Sequence, residues 1–314
     1  MKLPSDIFRS TDQISSLSRS LLDDVFKDFN STSRRWLRKA MEPFIYPSAK
    51  RFASLATMVD HYIEHFGLRV GMQRILPYLV SDVEVSGVQH VPEEGPLLVV
   101  SNHPGTYDSI AIAASLPRTD LNIVASGFPL LRRLPFASRY LIFVSNDMKA
   151  RMMAVRSAIR HLQEGGAVLI FPSGRVDPDP ACLPGAPEAM NNWSTSIEFF
   201  LKKVPQVKVL PTIVSGVLSP KFLNSPFIRF WRGIREPQAT AEVIQVVVQM
   251  LFPQKVHLVP RISFGIAKTK EELNSFYAEG KDTIGSIVEE ARKLLSEHHM
   301  WIDSTIEVAD PLCE

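Results

Sequence analysis

A histidine and an aspartate stand five positions apart in the stretch VVSNHPGTYDSI, residues 99–110. His103 follows one apolar run and Asp108 precedes another, with a Pro-Gly turn between them that can fold the chain back. A carboxylate that accepts one ring N–H fixes the imidazole tautomer and leaves the other ring nitrogen as a base. The pair therefore predicts general base catalysis. The spacing alone fits equally well a helix-capping aspartate beside an unrelated histidine at the end of a strand.

The sequence has none of three common motifs that would place a nucleophile or a phosphate-binding loop beside this base. The Gly-x-Ser-x-Gly elbow is absent, and so are Gly-x-Gly-x-x-Gly and the P-loop. We therefore expect the base to activate a hydroxyl group that belongs to the substrate.

Two arginine-bearing segments favour an anionic substrate. In IFPSGR, residues 170–175, an apolar run ends in a glycine turn followed by Arg175. Backbone N–H groups beside an arginine suit a phosphate or an oxyanion. In FPLLRRLPF, residues 128–136, Arg132 and Arg133 stand among apolar residues. A solvated arginine after an ordinary turn is the alternative interpretation of the first segment.

Positive charge is concentrated around the second segment. Residues 128–160 hold seven basic side chains and one acid, Asp147, in a chain whose net charge is +2. This excess indicates a surface that faces phosphate, an acidic carrier or anionic lipid. For the basic residues of 151–160, a solvated helix face is the simpler interpretation.

The segments that must position these residues alternate between strand and helix patterns. PLLVVSNH, residues 96–103, and AVLIFPSG, residues 167–174, are the apolar runs expected of strands buried on both faces. The alternation predicts an α/β domain over residues 80–314, with a mostly parallel or mixed sheet flanked by helices. Residues 1–79 show helical periodicity and predict a helical N-terminal region.

In such sheets ligands bind beyond the carboxyl ends of the strands, which is where His103 and Arg175 stand. DPDPACLPGAPEA, residues 177–189, is rich in proline and predicts a surface loop near this site.

Four blocks, in order, resemble the glycerol-phosphate and lysophosphatidate acyltransferases. NHPGTYD resembles the family's His-x4-Asp block, and GFPLLRRLPF stands where its second, arginine-bearing block lies. FPSGR is similar to the third block, usually Phe-Pro-Glu-Gly-Thr-Arg, and VLPTIVSG is similar to the fourth, a hydrophobic strand with proline. The resemblance covers roughly residues 80–220.

The resemblance implies a role in phospholipid biosynthesis: transfer of a fatty acyl group from acyl-CoA or acyl carrier protein to a hydroxyl of a glycerol-phosphate or lysophospholipid-type acceptor. It implies that His103 is the general base and Asp108 its orienter. It implies that the acceptor's phosphate is bound by Arg132, Arg133, Gly174 and Arg175. It implies that the substrate or acyl pocket is lined by Ser173 and Pro211. The tetrahedral oxyanion is expected to bind N–H groups of the 103–106 or 173–175 turns.

The third block departs from the usual family pattern. Ser173 stands where the pattern has Glu, and Arg175 follows Gly174 without the Thr. PSGRVDPDP is closer to the Ser-Gly-Gly-Arg-Asp-Arg-Pro form of the soluble plastid enzymes, which use acyl carrier protein. Because of this departure, the resemblance does not determine which acceptor is used. It also leaves two alternatives, a thioester or ester hydrolase that uses the same base on water, and a non-catalytic lipid-binding relative.

Composition limits the remaining choices. Two cysteines make a disulfide framework unexpected, and the modest net charge does not favour nucleic-acid binding. His90, His161 and His257 show no ligand spacing, and we expect neither a metal nor a cofactor.

The expected location is the cytoplasm, with peripheral contact at the inner face of the membrane. The first twenty residues lack the apolar core of a secretory signal, and VIQVVVQMLF, residues 243–252, is shorter than the ~20 residues that span a bilayer. RRWLRK, residues 34–39, and FIRFWRGIR, residues 227–235, mix aromatic residues with arginines as interfacial segments do. Packing of Trp36 and Trp231 in the core is the alternative.

Overall fold

The computed structural model describes residues 11–26, 35–126, 129–145, 147–226, 228, 236–276 and 283–309. The helices are α1 (Thr11–Val25), α2 (Arg35–Leu79), α3 (Asp108–Ser115), α4 (Pro129–Arg132), α5 (Met148–Gln163), α6 (Ala186–Ala189), α7 (Ser196–Lys203), α8 (Pro220–Leu223), α9 (Pro237–Leu251), α10 (Lys270–Phe276) and α11 (Thr283–Ala309). The strands are β1 (Glu84–Ser86), β2 (Leu97–Ser101), β3 (Leu121–Ser126), β4 (Leu141–Val144), β5 (Ala167–Ile170), β6 (Lys208–Ser215) and β7 (Arg261–Phe264). Short 3₁₀ turns lie at Val88–His90, Ala137–Tyr140, Met190–Asn192 and Pro253–Lys255.

The strands form a mixed sheet in the order β1-β7-β6-β2-β5-β3-β4. Strands β6, β2, β5, β3 and β4 run parallel, whereas β7 runs antiparallel to β6 and parallel to β1. The expected α/β fold with a mixed sheet and flanking helices is confirmed. Because β2, β5 and β6 are parallel neighbours, the segments that follow Ser101, Ile170 and Ser215 emerge at the same edge.

Strand β2 is buried on both faces because helices cover both sides of the sheet. Leu97 and Val99 belong to one hydrophobic cluster, and Leu98 and Val100 belong to the other. Residues from α1, α2, α3 and α9 build the first cluster, and residues from α5, α7 and α11 build the second. Side chains alternate between the two faces of a strand, so burial on both faces requires the continuous apolar run seen in the sequence.

The expected N-terminal helical region is present as α1 and α2. Helix α2 is interrupted at Gly67, whose φ of 80° and ψ of 172° are not helical. Leu17 and Ala53 from this region are buried in the same cluster as Leu97 of the sheet. The division of the chain near residue 80 stays a prediction, and the shared cluster shows that the helical region packs directly against the sheet. Of the helices in the described ranges, none has the length and apolar character that crossing a bilayer requires.

Candidate active site

His103 and Asp108 meet at the carboxyl edge of the sheet. His103 lies just beyond β2 and Asp108 begins α3, and His103 Nδ1 is 2.7 Å from Asp108 Oδ2. Asp108 is fully buried, and its carboxylate also accepts the N–H groups of Gly105 and Ser109. The carboxylate thus orients the imidazole and also contacts the N–H of the next residue, Ser109. The N-cap position of α3 is occupied by Tyr107, so the interpretation of Asp108 as a helix cap without a role toward His103 is wrong.

The imidazole is held on one face and remains accessible. Its ring stacks on Phe171, with 4.4 Å between the centroids and 29° between the planes. The His103 side chain is 30% exposed, so a substrate can reach it. No side chain in the described part of the chain hydrogen-bonds Nε2. With Nδ1 donating to Asp108, Nε2 is the nitrogen that can accept a proton.

A second carboxylate, missed in the sequence, holds the backbone of His103. Asp177 Oδ2 accepts the His103 N–H at 3.0 Å, and the Asp177 N–H donates to the His103 carbonyl at 2.7 Å. Ser173 Oγ, which has one proton to donate, lies 2.8 Å from the Arg175 carbonyl and 3.1 Å from the same Oδ2. Where the usual pattern of this turn has a glutamate, this chain therefore has a serine that binds an aspartate four residues later.

The expectation that residues 177–189 form a surface loop is wrong at Asp177 and Asp179, which are both buried. Asp179 accepts the N–H groups of Gly216, Val217 and Leu218 at 2.9–3.0 Å. A buried carboxylate is stable only with such donors. These bonds join the segment after β5 to the segment after β6, and they fix the frame around His103.

Helix α9 adds a row of polar side chains on one face. Its members, spaced so that they share that face, are Gln238, Glu242, Gln245 and Gln249. Gln249 Oε1, for example, accepts the hydroxyl of buried Tyr107 at 2.8 Å. Sequence reasoning missed this row because it treated the segment as an apolar stretch. The helical spacing of its glutamines and glutamate was the available signal.

Two members of the row hold the turn between His103 and Asp108. Gln238 Nε2 donates to the carbonyls of Pro104 and Asp177, each at 2.8 Å. Glu242 Oε1 accepts the N–H of Thr106 at 2.7 Å. The turn is therefore braced from outside by a helix more than 130 residues away in the chain.

The surrounding carboxylates control the charge of His103. Burial lowers the pKa of His103, but the charge and hydrogen bond of Asp108 and the more distant charges of Glu242 and Asp177 raise it, to about 9 overall. Burial raises the pKa of Glu242 to about 7, against the lowering effect of the Thr106 N–H. Burial also raises the pKa of Asp177. His103 therefore carries a proton at neutral pH and must lose it before acting as a base.

Each N–H group of the 103–106 turn already donates to a carboxylate. The acceptors for His103, Gly105 and Thr106 are Asp177, Asp108 and Glu242 respectively. In this arrangement the turn does not offer the oxyanion donors that the sequence led us to expect there. In the other expected turn, the Arg175 N–H has only a long 3.4 Å contact with Ser173 Oγ.

The predicted anion-binding residues divide into two groups. Gly174 and Arg175 are exposed on the turn after β5, and the Arg175 charge acts on Asp177 beside His103. The other two arginines are engaged elsewhere. The Arg132 guanidinium lies 4.3 Å from the centre of the Phe143 ring, and Arg133 donates to the Ser16 carbonyl and hydroxyl at 3.3 and 3.2 Å.

Pro211 lies inside the sheet. It is buried in β6 opposite Val100, and its carbonyl accepts the N–H of Gly265 at 2.8 Å. Its predicted contribution to a substrate pocket stays a prediction.

A cavity of about 540 Å³ lies between α1, α2 and α9 and reaches the His103 turn at Thr106. Its lining is mainly apolar, with Glu242 and Asp24 among the polar members. The apolar side chains include Leu21, Val25, Ile45, Ala49, Phe52, Val243, Val246 and Val247. Such a volume is within the range of small-molecule and lipid-chain pockets, about 300–1,000 Å³.

A group of potential metal ligands on α2 was also missed. Ligand atoms of His61, Glu64 and His65 lie within 4.8 Å of one another; Glu64 and His65 are exposed and His61 is half-buried. His65 Nδ1 is 2.9 Å from the His61 carbonyl. The group lies on a different element from His103 and Asp108.

The central part of the chain is similar to a known protein family. Residues 82–215 match the family model described as Acyltransferase, a range that contains β1 to β6 and excludes α1, α2 and α9. The crystal structure of the 1-acyl-sn-glycerophosphate (LPA) acyltransferase PlsC from Thermotoga maritima is similar, with 16% identity, 91% of this chain and 98% of that chain covered, and a TM-score of 0.45. A search of curated proteins found no significant match. The family match confirms the acyltransferase resemblance of the sequence blocks.

Proposed function

We propose that the protein, whose residues 82–215 form an acyltransferase domain, moves a fatty acyl group from a thioester donor to a hydroxyl of a glycerol-phosphate or lysophospholipid-type acceptor. The observation that carries the proposal is the 2.7 Å contact of His103 Nδ1 with Asp108 Oδ2. Among the described residues, no serine, threonine or cysteine side chain hydrogen-bonds the imidazole. A histidine base without a protein nucleophile suits direct attack by the acceptor hydroxyl.

In the proposed step, neutral His103 takes the acceptor's hydroxyl proton on Nε2 as the oxygen attacks the thioester carbonyl. A C–O bond forms and the carbonyl oxygen becomes an oxyanion. The intermediate then collapses, the C–S bond breaks, and the imidazolium returns its proton to the leaving thiolate. Asp108 stabilises the imidazolium between these events, because its carboxylate is held against Nδ1.

Arg175 and Gly174 are the strongest candidates to bind the acceptor's phosphate. Both are exposed on the turn whose Asp177 binds the backbone of His103, so a phosphate there lies near the base. An exposed guanidinium suits a phosphate, with which it can form paired hydrogen bonds. Arg132 and Arg133 are proposed as further positive charge at the same edge, although each already contacts the protein.

The cavity between α1, α2 and α9 is proposed to take the acyl chain. Its apolar lining suits hydrocarbon, and its boundary at Thr106 lies three residues from His103. A chain bound there places its thioester near the imidazole. Apolar burial contributes about 0.8 kcal/mol per methylene group, which favours long chains.

Acyl-CoA and acyl carrier protein are the two proposed donors. Helix α5 presents Lys149, Arg151, Arg156 and Arg160 to solvent. Both CoA phosphates and an acidic carrier surface are attracted by such a group of positive charges. No nucleic acid and no metal or cofactor takes part in the proposed reaction.

Peripheral contact with the inner face of the membrane is part of the proposal, from a cytoplasmic location. On α2, Trp36 is 66% and Phe44 is 76% exposed, as expected of side chains that enter a membrane interface. The second predicted segment, residues 227–235, lies outside the described residues except for Ile228, which is buried.

Product analysis tests the proposed function. Purified protein is incubated with labelled acyl-CoA or acyl carrier protein donors and a panel of hydroxyl acceptors with and without phosphate, and products are identified by mass. We expect an acylated, phosphate-bearing acceptor together with free donor thiol. Free fatty acid without any acylated acceptor would identify a hydrolase, and no turnover of any donor would identify a non-catalytic protein. Either result contradicts the proposal.

A further inference from the structure

Glu242 of α9 fits closely against the turn that carries His103. Its Oε1 accepts the Thr106 N–H at 2.7 Å and lies 3.4 Å from Thr106 Oγ1. A Cβ added at Gly105 would overlap the same Oε1 and would lie 3.3 Å from Val217 Cγ2. Gly105 does not have a positive φ, so the reason for glycine here is close approach of the carboxylate.

The same helix holds the turn by a second, independent contact. Gln238, one helical turn before Glu242, donates to the carbonyls of Pro104 and Asp177. Helix α9 thus binds an N–H and a carbonyl on successive parts of the turn. A loop fixed at two points in this way holds the side chain of His103 in one position.

Glu242 is also one of a set of charges that face His103 from separate elements. Asp108 faces the imidazole from α3, Asp177 from the segment after β5 and Glu242 from α9, while the Arg175 charge faces Asp177. Asp24 of α1 lines the cavity together with Glu242. Of these carboxylates, Glu242 both hydrogen-bonds the His103 turn and lines the cavity.

We propose that Glu242 is a positioning residue for acyl transfer, which fixes the 104–106 turn and stabilises the His103 imidazolium that forms when the base takes the acceptor's proton. The inference rests on the proposed function. It assigns a role in the reaction to α9, a helix outside the matched range 82–215.

The first test measures the base directly and needs no turnover. The titration of His103 is followed by NMR of its ring carbon–proton pair in the wild type, Glu242→Gln and the control Glu236→Gln. Glu236 is exposed and immediately precedes α9, so the control removes one carboxylate charge at the start of this helix without touching the contacts of Glu242 with the turn. We expect the His103 midpoint to move to lower pH in Glu242→Gln and to stay unchanged in Glu236→Gln. An unchanged midpoint in folded Glu242→Gln overturns the proposal.

The second test measures catalysis. Glu242→Ala removes the contact with Thr106, and a misplaced base is expected to lower kcat by about 10²-fold with little change in KM. In Glu242→Gln the pH profile of kcat/KM is expected to move to lower pH together with the NMR midpoint. Wild-type kcat in Glu242→Ala contradicts the proposed positioning. If the wild type itself transfers no acyl group, the proposed function fails while the NMR result still stands.

Gly105→Ala gives an independent route to the same contact. The added methyl group must push the Glu242 carboxylate away from Thr106, so kcat is expected to fall in this variant. In the double variant Gly105→Ala/Glu242→Ala the overlap with the carboxylate is removed and only the 3.3 Å approach to Val217 Cγ2 remains, so we expect little loss beyond that of Glu242→Ala alone. If the fold-loss of kcat in the double variant equals the product of the two single-variant losses, the two residues do not act through one contact.

Discussion

At the scale of single residues, the site depends on a buried carboxylate with several partners. Asp108 accepts hydrogen bonds from His103, Gly105 and Ser109, so the base, the turn and the first turn of α3 share one anchor. Burial alone makes a histidine a weaker base, because it disfavours the imidazolium. In this site the neighbouring carboxylates outweigh burial, and the pKa of His103 rises to about 9.

This charge balance predicts the pH dependence of the reaction. The base must be neutral to accept a proton, and a raised pKa keeps it protonated up to higher pH. We therefore expect kcat/KM to rise with pH and to level off above about pH 9, as measured by initial rates at low substrate concentration. A profile that is flat from about pH 6 to about pH 9 contradicts the assignment of His103 as the base.

Asp108→Asn separates charge from size at the same position. The amide keeps the volume but loses the charge that orients and stabilises the imidazolium. We expect kcat to fall by about 10²–10⁴-fold and the pH profile of kcat/KM to shift to lower pH. Asp303→Asn, at an exposed position of α11 outside these contacts, removes one charge and serves as the control. Near-wild-type kcat in Asp108→Asn would show that the carboxylate does not assist His103.

The sequence indicates His103 and Asp108 because their relation is local, a short turn between a buried strand and a helix. Glu242 and Asp177 reach the same site through the fold, 136 and 74 residues from their partners Thr106 and His103. No local spacing reports such contacts. Asp177 also stands in a proline-rich segment of the type that usually lies on the surface.

At the scale of elements, the parallel strands bring the site residues to one edge of the sheet, and α11 hydrogen-bonds to strands β6 and β7. His298 of α11 lies between two strands, with Nε2 2.8 Å from Ser215 Oγ in β6 and Nδ1 2.7 Å from Ser263 Oγ in β7. Burial, then the charges of His299 and Arg261, lower the pKa of His298 to about 3. A neutral histidine thus joins the antiparallel pair β6–β7 to its covering helix.

His298 predicts how stability depends on pH. The unfolded histidine takes up a proton below about pH 6.5, whereas the folded one stays neutral until about pH 3, so its contribution is lost as pH falls through this window. Between about pH 7.5 and about pH 5, the wild type is expected to lose about 2 kcal/mol more of its unfolding free energy than His298→Gln. Urea unfolding of both proteins at the two pH values measures this, and equal losses contradict it.

The sequence predicts the elements better than their arrangement. Continuous apolar runs identify β2 and β5, because burial on both faces requires them. The reversed direction of β7 depends on its pairing with β6, between residues about 50 positions apart such as Thr212 and Phe264. Its pairing with β1 joins residues more than 170 positions apart, such as Ser86 and Ser263. Those contacts leave no periodic pattern in either strand.

At the scale of the whole molecule, the N-terminal helices and α9 enclose the cavity beside the segment that matches the acyltransferase model. Both lie outside the matched range 82–215, and both share a hydrophobic cluster with the sheet. The turn that carries His103 therefore belongs to the matched range, whereas the proposed acyl-chain site is built largely by the segments around it.

Partial filling of the cavity tests whether it holds the acyl chain. Ala49 of α2 lines the cavity, and Ala49→Phe is expected to lower kcat/KM for a palmitoyl donor by about tenfold or more while a butyryl donor is little affected. Ala40→Phe, the same change at an exposed position of α2, is the control. The comparison is made by initial rates on proteins with matched melting temperatures. An equal loss for both donors argues against an acyl chain in this cavity.

The central claim is that His103 removes the acceptor's proton during acyl transfer, and the rate of His103→Ala tests it most directly. Transfer to the best phosphate-bearing acceptor is measured by mass for the wild type, His103→Ala and His257→Ala, an exposed histidine outside the site, with folding checked by circular dichroism. We predict that folded His103→Ala loses about 10²–10⁴-fold in kcat while His257→Ala keeps the wild-type rate. Near-wild-type transfer by folded His103→Ala would contradict the mechanism.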